Sequence, residues 1–417
     1  MEIKRDEYVR LLESKMGNGL IKVVTGLRRS GKSYLLFDLF KKHLIDSGVK
    51  EKHIIEIDLE SRLNKELRDP DNMLHFVKSI TDKDESLHYL LIDEIQNLNE
   101  FEDVLNTFLH FKNLDVFVTG SNSKFLSKDV ITEFRGRGDE VHVYPLSFRE
   151  FMGAYNGDIY KGWADYYTYG GLPYTLHLKS EKEKISYLEK LFEETYLVDI
   201  IERNGVGKSG EFEDLLNVLA SSISSLTNPL KIKNTFKSQL NSNISDNTVR
   251  QYIEYMEEAF LISKAQRYDV KGRKYIGSPV KYYFEDLGLR NAKIGFRQIE
   301  ENHIMENIIY NELRLRGFNV DVGMVRSRAM RDGKQENKQL EVDFVANQGS
   351  KRYYIQSAFQ MDSVEKIEQE RASFRTIQDS SKKIFIVRDV INVQRDNEGF
   401  TTMSIFDFLL NDNSLEL

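Results

Sequence analysis

The chain has 417 residues, several times the common size of one domain, so we expect two or three hydrophobic cores. A formal net charge of −7 excludes a global positive field that would draw the molecule onto nucleic acid, so any basic surface must be local. The sequence contains no cysteine, which excludes disulfides and thiolate zinc sites, and its eight histidines show no metal-like spacing. Because neither a signal peptide nor an apolar membrane span is evident, we expect a cytoplasmic protein without membrane contact.

Strands and helices alternate over residues 1–150. Apolar residues at helical spacing predict a short helix within 3–17, and four apolar runs separated by helical or polar segments predict strands at 21–25, 53–59, 89–92 and 115–119. Strands that are apolar on both faces are typical of a parallel sheet covered by helices on two sides. We therefore predict a doubly wound α/β domain over residues 1–150.

The segment from Gly26 to Ser33, GLRRSGKS, matches the pattern GxxxxGK[ST] and lies between a predicted strand and a predicted helix. Glycines let the backbone curl so that successive N–H groups face inward, and the helix N-terminus adds its positive dipole, so the loop is suited to hold phosphate. We expect Lys32 to neutralise the β- and γ-phosphates of ATP and Ser33 to bind Mg²⁺. The remaining nucleotide contacts are assigned to Gly26, Arg28, Arg29, Ser30 and Gly31. For the two arginines, exposure to solvent is an equally good interpretation.

The apolar run Tyr89-Leu90-Leu91-Ile92 ends in two acids, Asp93 and Glu94, about sixty residues after Lys32. At the carboxyl end of a parallel strand, the first acid is suited to hold Mg²⁺ and the second to polarise the attacking water. An acidic pair that merely caps the next helix is the alternative. The phosphate loop upstream favours the catalytic interpretation.

Two further segments suggest groups that act on the γ-phosphate. Asn122 follows the last of the four predicted strands and is a candidate for orienting water, although asparagine in a Ser-rich turn also serves turn geometry. Arg135 and Arg137 lie on a Gly-flexible loop and are candidates for an arginine finger. A plain surface loop is the alternative for these arginines.

The motifs GLRRSGKS, LLIDEIQ, VFVTGSNS, RGRGDEVHVYPLSFREF and YGGLPY occur in this order. Together they resemble the AAA-type (AAA_14) ATPase domain of bacterial and archaeal proteins that carry a C-terminal DUF4143 domain. The resemblance implies Walker A roles for Lys32 and Ser33, Walker B roles for Asp93 and Glu94, and a sensor and finger drawn from the residues named above. It also implies that Gly171-Leu172-Pro173 matches a Gly-x-Pro element near the nucleotide, with Pro173 in contact, where an ordinary turn is the alternative.

Residues 151–210 are mostly helical and are predicted to form a lid or linker. Residues 211–290 are predicted to form a winged-helix domain, with two helices followed by two strands joined by a basic turn. Arg250 and the basic turn would attract DNA, whereas Glu254, Glu257 and Glu258 would repel it. DNA contact and packing against the nucleotide domain therefore both remain open.

Residues 291–417 resemble restriction-endonuclease-like α/β domains, in which a helix glutamate, a strand aspartate and an acid-x-lysine pair converge on Mg²⁺. The corresponding residues are Glu306, Asp343, Gln356 and Ala358. Glutamine is a weak metal ligand, and alanine cannot position or activate water. We therefore predict a degenerate nuclease-like domain with little or no cleavage.

The residues and the resemblance together predict a Mg²⁺-dependent ATPase of AAA type that acts as a nucleotide-driven switch on DNA or a protein partner. One alternative is a slow-hydrolysing, nucleotide-regulated DNA-binding or scaffold protein. Another is an ATP-dependent nuclease, which Ala358 disfavours. An arginine finger acting in trans would require an oligomer, whereas a monomeric switch needs no neighbour, and the sequence leaves both open.

Overall fold

The computed structural model describes residues 3–120, 138–239, 242–297, 299–331, 334–359 and 364–417. These residues divide into two compact units. The first comprises Met1–Leu146, Leu172–His177 and Glu258–Phe260, and the second comprises Ser147–Gly171, Leu178–Glu257 and Leu261–Leu417.

The first unit is built on a sheet of five strands in the order β2-β3-β4-β1-β5, and all of its strand pairings are parallel. The strands are β1 Ile21–Thr25, β2 Ile54–Asp58, β3 His88–Asp93, β4 Leu114–Thr119 and β5 Gly138–His142. The predicted parallel α/β sheet is thus confirmed.

Both faces of this sheet are buried. On β3, Leu90 and Ile92 belong to one hydrophobic cluster, whereas Tyr89 and Leu91 belong to another. Alternate residues of a strand point to opposite faces, so each face carries its own core. This arrangement explains why β3 reads as a continuous apolar run rather than as an alternating pattern.

Helices surround the sheet within the first unit. The α-helices are α1 Asp6–Ser14, α2 Lys32–Tyr34, α3 Lys41–Asp46, α4 Pro70–Thr81 and α5 Phe101–Phe108. A π-helical segment, Leu35–Phe40, joins α2 to α3, and 3₁₀ turns form at Glu51–His53, Arg62–Arg68 and Ile95–Asn97. Asp69 begins α4 by accepting a hydrogen bond from the backbone N–H of Asn72, and Pro70 occupies the first helical position.

A buried ion pair joins β1 to β4. Lys22 is fully buried, and its ammonium group forms an ion pair with the carboxylate of Asp115 and donates to the carbonyl of Leu20 at 2.9 Å. The other carboxylate oxygen of Asp115 accepts from the backbone N–H of Gly17 at 3.0 Å. Burial lowers the pKa of Lys22, and the hydrogen bond from Lys22 to Asp115 opposes that shift. Because both side chains are buried, water cannot replace either partner, and removal of one would leave the other charge uncompensated.

The second unit contains an eight-stranded mixed sheet in the order β12-β13-β11-β10-β9-β8-β6-β7. The strands are β6 Ile262–Asp269, β7 Lys274–Phe284, β8 Asn319–Arg331, β9 Lys334–Gln348, β10 Lys351–Ala358, β11 Lys382–Val387, β12 Gln394–Arg395 and β13 Thr401–Ser404. Antiparallel pairing links β8, β9 and β10, whereas β10, β11 and β13 run parallel. The sheet therefore combines a meander with a parallel α/β segment.

The helices of the second unit lie mainly before its sheet in the chain. They are α6 Phe148–Ala154, α7 Ile159–Tyr169, α8 Glu181–Leu191, α9 Val198–Asn204, α10 Ser209–Ser221, α11 Pro229–Gln239, α12 Asp246–Glu258, α13 Leu287–Lys293, α14 Glu301–Leu315, α15 Val364–Arg375 and α16 Ile405–Leu410. None of the helices that the structure describes has both the length and the apolar character of a membrane span.

The helices and hairpin expected of a winged helix occur as α11, α12, β6 and β7. The hairpin is antiparallel, but β6 also pairs in parallel with β8, with Arg267 opposite Val322. The hairpin is therefore continuous with the sheet that carries residues 319–358. The sequence pattern could not reveal this pairing because the partner strand lies about fifty residues further along the chain.

Replacement of Asp115 by alanine should lower the free energy of unfolding by about 3 kcal/mol, because it leaves the Lys22 ammonium group buried without its counter-charge. Urea unfolding followed by circular dichroism measures the loss. The exposed ion pair between Glu7 and Arg10 provides the control, since Glu7→Ala should leave the unfolding midpoint nearly unchanged. Equal midpoints for Asp115→Ala and Glu7→Ala would contradict the assigned importance of the buried pair.

Candidate functional site

The loop between β1 and α2 depends on glycine at two positions. Gly26 has φ 133°, and a Cβ atom built there would lie 2.2 Å from the carbonyl oxygen of Val143. Gly31 has φ 97° and immediately precedes α2. Any other residue at Gly26 would clash with backbone and any at Gly31 would be strained, so the chain can form this tight loop only with glycine.

Lys32 is the first residue of α2, and its side chain lies against the loop that precedes it. The residue is 5% exposed, and its ammonium group donates to the carbonyl oxygens of Gly26 at 2.9 Å and Leu27 at 3.0 Å. Ser30 is fully buried, and its hydroxyl oxygen has no hydrogen-bond partner among the described residues. A buried polar atom of this kind suggests a ligand group that belongs beside the loop.

Arg5 braces the loop from the N-terminal segment, and sequence reasoning missed it. Its buried guanidinium group donates to the carbonyl oxygens of Ser30 at 3.0 Å and Tyr144 at 2.9 Å, and it lies 4.5 Å from the ring centroid of Tyr8. Arg5 thereby connects the loop to the segment that follows β5. Nothing in the sequence around Arg5 signals this role, because both partners are distant backbone carbonyls.

Ser33 and Asp93 meet at the carboxyl edge of the sheet. The carboxylate of Asp93 accepts hydrogen bonds from the hydroxyl groups of Thr119 and Ser33. Burial raises the pKa of Asp93, and these two hydrogen bonds oppose the shift. The structure thus brings together the serine of the phosphate loop and the first acid after β3, which are the two residues predicted to bind Mg²⁺.

Glu94 follows Asp93 in a left-handed backbone conformation with φ 52°. Its backbone N–H donates to the hydroxyl oxygen of Thr119 at 3.0 Å, and its carboxylate accepts from the side-chain amide of Gln96. Thr119 therefore positions both acids from the neighbouring strand β4. Sequence reasoning assigned the polar group after β4 to Asn122 and overlooked the threonine at the end of the strand itself.

Asp58 is a third acid at this edge of the sheet. It ends β2 directly opposite Asp93 in the parallel register. Its carboxylate accepts from the backbone N–H groups of Glu60 at 2.8 Å and Ser61 at 3.2 Å. In the sequence, Asp58 and Glu60 lie at the end of the apolar run that forms β2, and this was the available signal for Asp58.

The remaining predicted site residues differ in their location and exposure. Pro173 lies beside the loop, since a Cβ atom built on Gly31 would be 3.7 Å from its Cγ atom. Arg28 is partly buried, whereas Arg29 is exposed with φ 65°. Asn122, Arg135 and Arg137 lie outside the described residues.

A second polar cluster lies within the second unit. The ammonium group of Lys281 on β7 lies 2.9 Å from Glu306, 2.7 Å from Glu341 and 3.8 Å from Asp343. The hydroxyl of Tyr283 donates to the same oxygen of Glu306 at 2.6 Å. Sequence reasoning named Glu306 and Asp343 but missed Lys281, because β7 carries no motif that links it to the acids.

The protonation of this second cluster follows from its burial. Burial, followed by the charge of Glu306, raises the pKa of Asp343 well above its ordinary value. Burial by itself would lower the pKa of Lys281, but the carboxylates of Glu306, Asp343 and Glu341 together raise it. Gln356 and Ala358 are buried on β10, and the Gln356 side-chain oxygen accepts from the backbone N–H of Asp343 at 3.4 Å. The cluster therefore consists of one ammonium group surrounded by three acids.

Two family models match the chain. The AAA domain model AAA_14 matches residues 18–152, and a domain of unknown function, DUF8612, matches residues 160–300. The first match confirms the AAA part of the resemblance drawn from the motifs. The second is a different domain from DUF4143, so the DUF4143 assignment stays a prediction.

The chain is 32% identical over 413 residues to an uncharacterized protein of Haemophilus influenzae, covering 98% of both chains. It is 27% identical over 420 residues to an uncharacterized protein of Methanocaldococcus jannaschii, covering 97% of this chain and 88% of the relative. Among solved structures, Cdc6p from Pyrobaculum aerophilum is 13% identical, covers 73% of this chain and 94% of that chain, and has a TM-score of 0.30, which is too low to support any inference. The chain therefore belongs to the same family as the Haemophilus influenzae protein, and its first unit is an AAA-type P-loop NTPase domain.

Proposed function

We propose that this protein is a Mg²⁺-dependent ATPase that acts as a nucleotide-driven switch. One observation carries the proposal: the hydroxyl of Ser33 donates to the carboxylate of Asp93, which joins the phosphate loop to the acidic strand end. The two residues are about sixty positions apart, and a chance loop would have no reason to meet such an acid. The AAA domain match over residues 18–152 supports the same interpretation.

The loop residues are suited to bind the phosphates of ATP. The backbone of the loop from Gly26 to Lys32 would form the cradle, with the N-terminus of α2 behind it. The ammonium group of Lys32 donates to the carbonyl oxygens of Gly26 and Leu27, and the charged oxygens of a phosphate would be stronger acceptors for it. Pro173 would border the nucleotide beside Gly31, and Arg28 and Arg29 would supply charge at the loop.

Ser33 and Asp93 are suited to hold Mg²⁺, since hydroxyl and carboxylate oxygens are the ligands that this ion prefers. Mg²⁺ bound there would neutralise charge on the β- and γ-phosphate oxygens. Asp58, opposite Asp93, would add negative charge close to the ion.

Glu94 would act as the base that orients the attacking water and accepts its proton. Its backbone is fixed by Thr119, and its carboxylate is oriented by Gln96, so both the position and the direction of the base are determined locally. We retain Asn122 as the proposed sensor and Arg135 or Arg137 as the proposed finger on the grounds of the sequence motifs.

The partner of the switch is proposed as DNA or a protein. The basic hairpin turn between β6 and β7 and Arg250 on α12 favour DNA, whereas the acidic residues on α12 oppose it. In the nuclease-like part, the ammonium group of Lys281 already lies among the acids that a divalent ion would need. We therefore propose that this part binds a partner rather than cleaves it.

Lys32→Ala should weaken ATP binding by about 10- to 100-fold, because it removes a charge-assisted contact to phosphate. Isothermal titration calorimetry with ATP and Mg²⁺ measures the change. Lys78→Ala, which alters an exposed lysine on α4, is the matched control and should bind like the wild type. Undiminished binding by folded Lys32→Ala would contradict the assignment of the loop.

Glu94→Gln should retain ATP affinity but lower the turnover number by about 100-fold, because the amide cannot accept a proton from water. Phosphate release under saturating ATP, with and without DNA, measures turnover. The exposed Glu60 provides a control, and Glu60→Gln should hydrolyse ATP at the wild-type rate. Equal turnover in wild type and Glu94→Gln would refute the role of Glu94 as the base. If turnover is slow in both proteins and DNA does not change it, the result would favour the slow-hydrolysing alternative.

Supercoiled DNA incubated with the purified chain and Mg²⁺ should stay intact, because the Lys281 ammonium group lies among the acids that would hold the ion and Ala358 cannot supply the catalytic ammonium group. Agarose electrophoresis measures nicking and linearisation. Cleavage by the wild type that disappears in Asp343→Ala would overturn this prediction and favour an ATP-dependent nuclease.

A further inference from the structure

Two histidines and an aspartate converge at the amino edge of the first sheet. One ligand atom from each of His53, Asp84 and His88 lies within 4.8 Å of the others. His53 precedes β2 and His88 begins β3, and the parallel register that pairs Ile54 with Tyr89 sets the two histidines side by side. Their rings meet edge to face, with centroids 4.9 Å apart. The sheet register therefore assembles a group that no sequence spacing indicated.

The cluster contains a buried polar atom without a partner. His88 is 1% exposed, and its Nδ1 atom has no hydrogen-bond partner among the described residues. His53 is 7% exposed, and its Nε2 atom lies 3.1 Å from the Oδ2 atom of Asp84. An unpaired imidazole nitrogen in such a buried position is costly unless something binds it. The Nδ1 atom of His88 is therefore a buried acceptor that a ligand in the cluster could bind.

The third member of the cluster is held in place by its neighbours. The side-chain amide of Asn113 donates to the carbonyl oxygens of Thr81 at 3.0 Å and Asp84 at 3.2 Å, which fixes the backbone of the segment. The Oδ1 atom of Asp84 accepts from the backbone N–H of Ser86 at 2.9 Å, which leaves Oδ2 directed to His53 and Lys52. The Oδ2 atom of Asp84 is therefore the carboxylate oxygen that faces His53 within the cluster.

We propose that His53, Asp84 and His88 form a zinc-binding site. Two imidazoles and one carboxylate are a common protein donor set for Zn²⁺, with water as the fourth ligand, whereas Mg²⁺ and Ca²⁺ prefer oxygen ligands alone. Lys52 donates to the same Asp84 oxygen at 3.0 Å, but its side chain is 64% exposed and can turn into solvent when the metal binds. Bound Zn²⁺ would connect the segment that carries Asp84 to the amino ends of β2 and β3.

The proposed site is separate from the nucleotide site. His88 and Asp93 are the first and last residues of β3, so the two sites lie at opposite ends of one strand, about 16 Å apart along its axis. Zinc binding is therefore a property of the first unit that is independent of the proposed ATPase activity. It can be measured without ATP.

Calorimetric titration of the full chain with ZnCl₂ in a non-coordinating buffer tests the proposal. The titration uses the Asp93→Asn background, so that the oxygen ligands of the nucleotide site do not contribute. We expect one Zn²⁺ per chain, undisplaced by excess Mg²⁺, and a loss of affinity of at least about tenfold when either His53→Ala or Asp84→Asn is added. His75→Ala, which alters an exposed histidine on α4, is the matched control and should bind zinc normally.

Thermal unfolding with and without Zn²⁺ provides a second readout. Zinc should raise the melting temperature of the Asp93→Asn chain and of the His75→Ala control but not that of His53→Ala. His88→Gln, which approximately retains the size of the buried side chain, should also lose the stabilisation. Absence of stoichiometric zinc uptake, or uptake by His53→Ala equal to that of the control, would overturn the proposal.

Discussion

The parallel register of the first sheet is the constraint on which its chemistry depends. It pairs Val24 with Thr119 and Asp58 with Asp93, so the carboxyl ends of four strands arrive at one edge. The phosphate loop leaves the sheet at this edge, and the hydroxyl of Thr119 reaches the acids of β3 from the next strand. A shift of one residue would reverse the facing of every side chain on the slipped strand. The two hydrophobic clusters on opposite faces oppose such a shift, because a shifted strand would turn apolar residues of each cluster away from their packing partners.

The two ends of strand β3 carry different kinds of potential metal ligands. Its last residue, Asp93, is a carboxylate that faces hydroxyl groups, which suits a hard cation that binds oxygen. Its first residue, His88, is an imidazole beside another imidazole and a carboxylate, which suits a cation that binds nitrogen. The residues between them are fully buried or nearly so, and the strand serves as a rigid spacer.

Three buried lysines show how the partners of an ammonium group determine what it can do. Lys22 forms an ion pair with one carboxylate, and Lys281 lies among three, so both charges are compensated within the fold. The ammonium group of Lys32 donates to the carbonyl oxygens of Gly26 and Leu27, which are neutral and weaker acceptors than carboxylates. A nucleotide bound at the loop would therefore offer the ammonium group of Lys32 stronger acceptors than these carbonyl oxygens.

Local patterns predicted much of the first unit. The segment GLRRSGKS indicated a phosphate loop because its glycines, lysine and serine act within eight consecutive residues, and the AAA_14 match agrees with the AAA resemblance. Apolar runs indicated the strands from β1 to β4 to within about one residue at most ends, since burial on both faces leaves a continuous signal. The pairing of β6 with β8 had no such signal, because it joins segments that the sequence pattern assigned to different domains.

The sequence by itself determined the class of the first unit, and it predicted the residues of the phosphate loop and the acidic strand end, because the side chains within each motif are neighbours in the chain. Only the tertiary structure decided that Arg5 braces the loop, that Thr119 orients both acids and that Lys281 joins Glu306, Glu341 and Asp343. The same holds for His53 and His88, which meet through strand register. Contacts of this kind join residues 25 or more positions apart, and their geometry depends on pairing and packing that local periodicity does not encode.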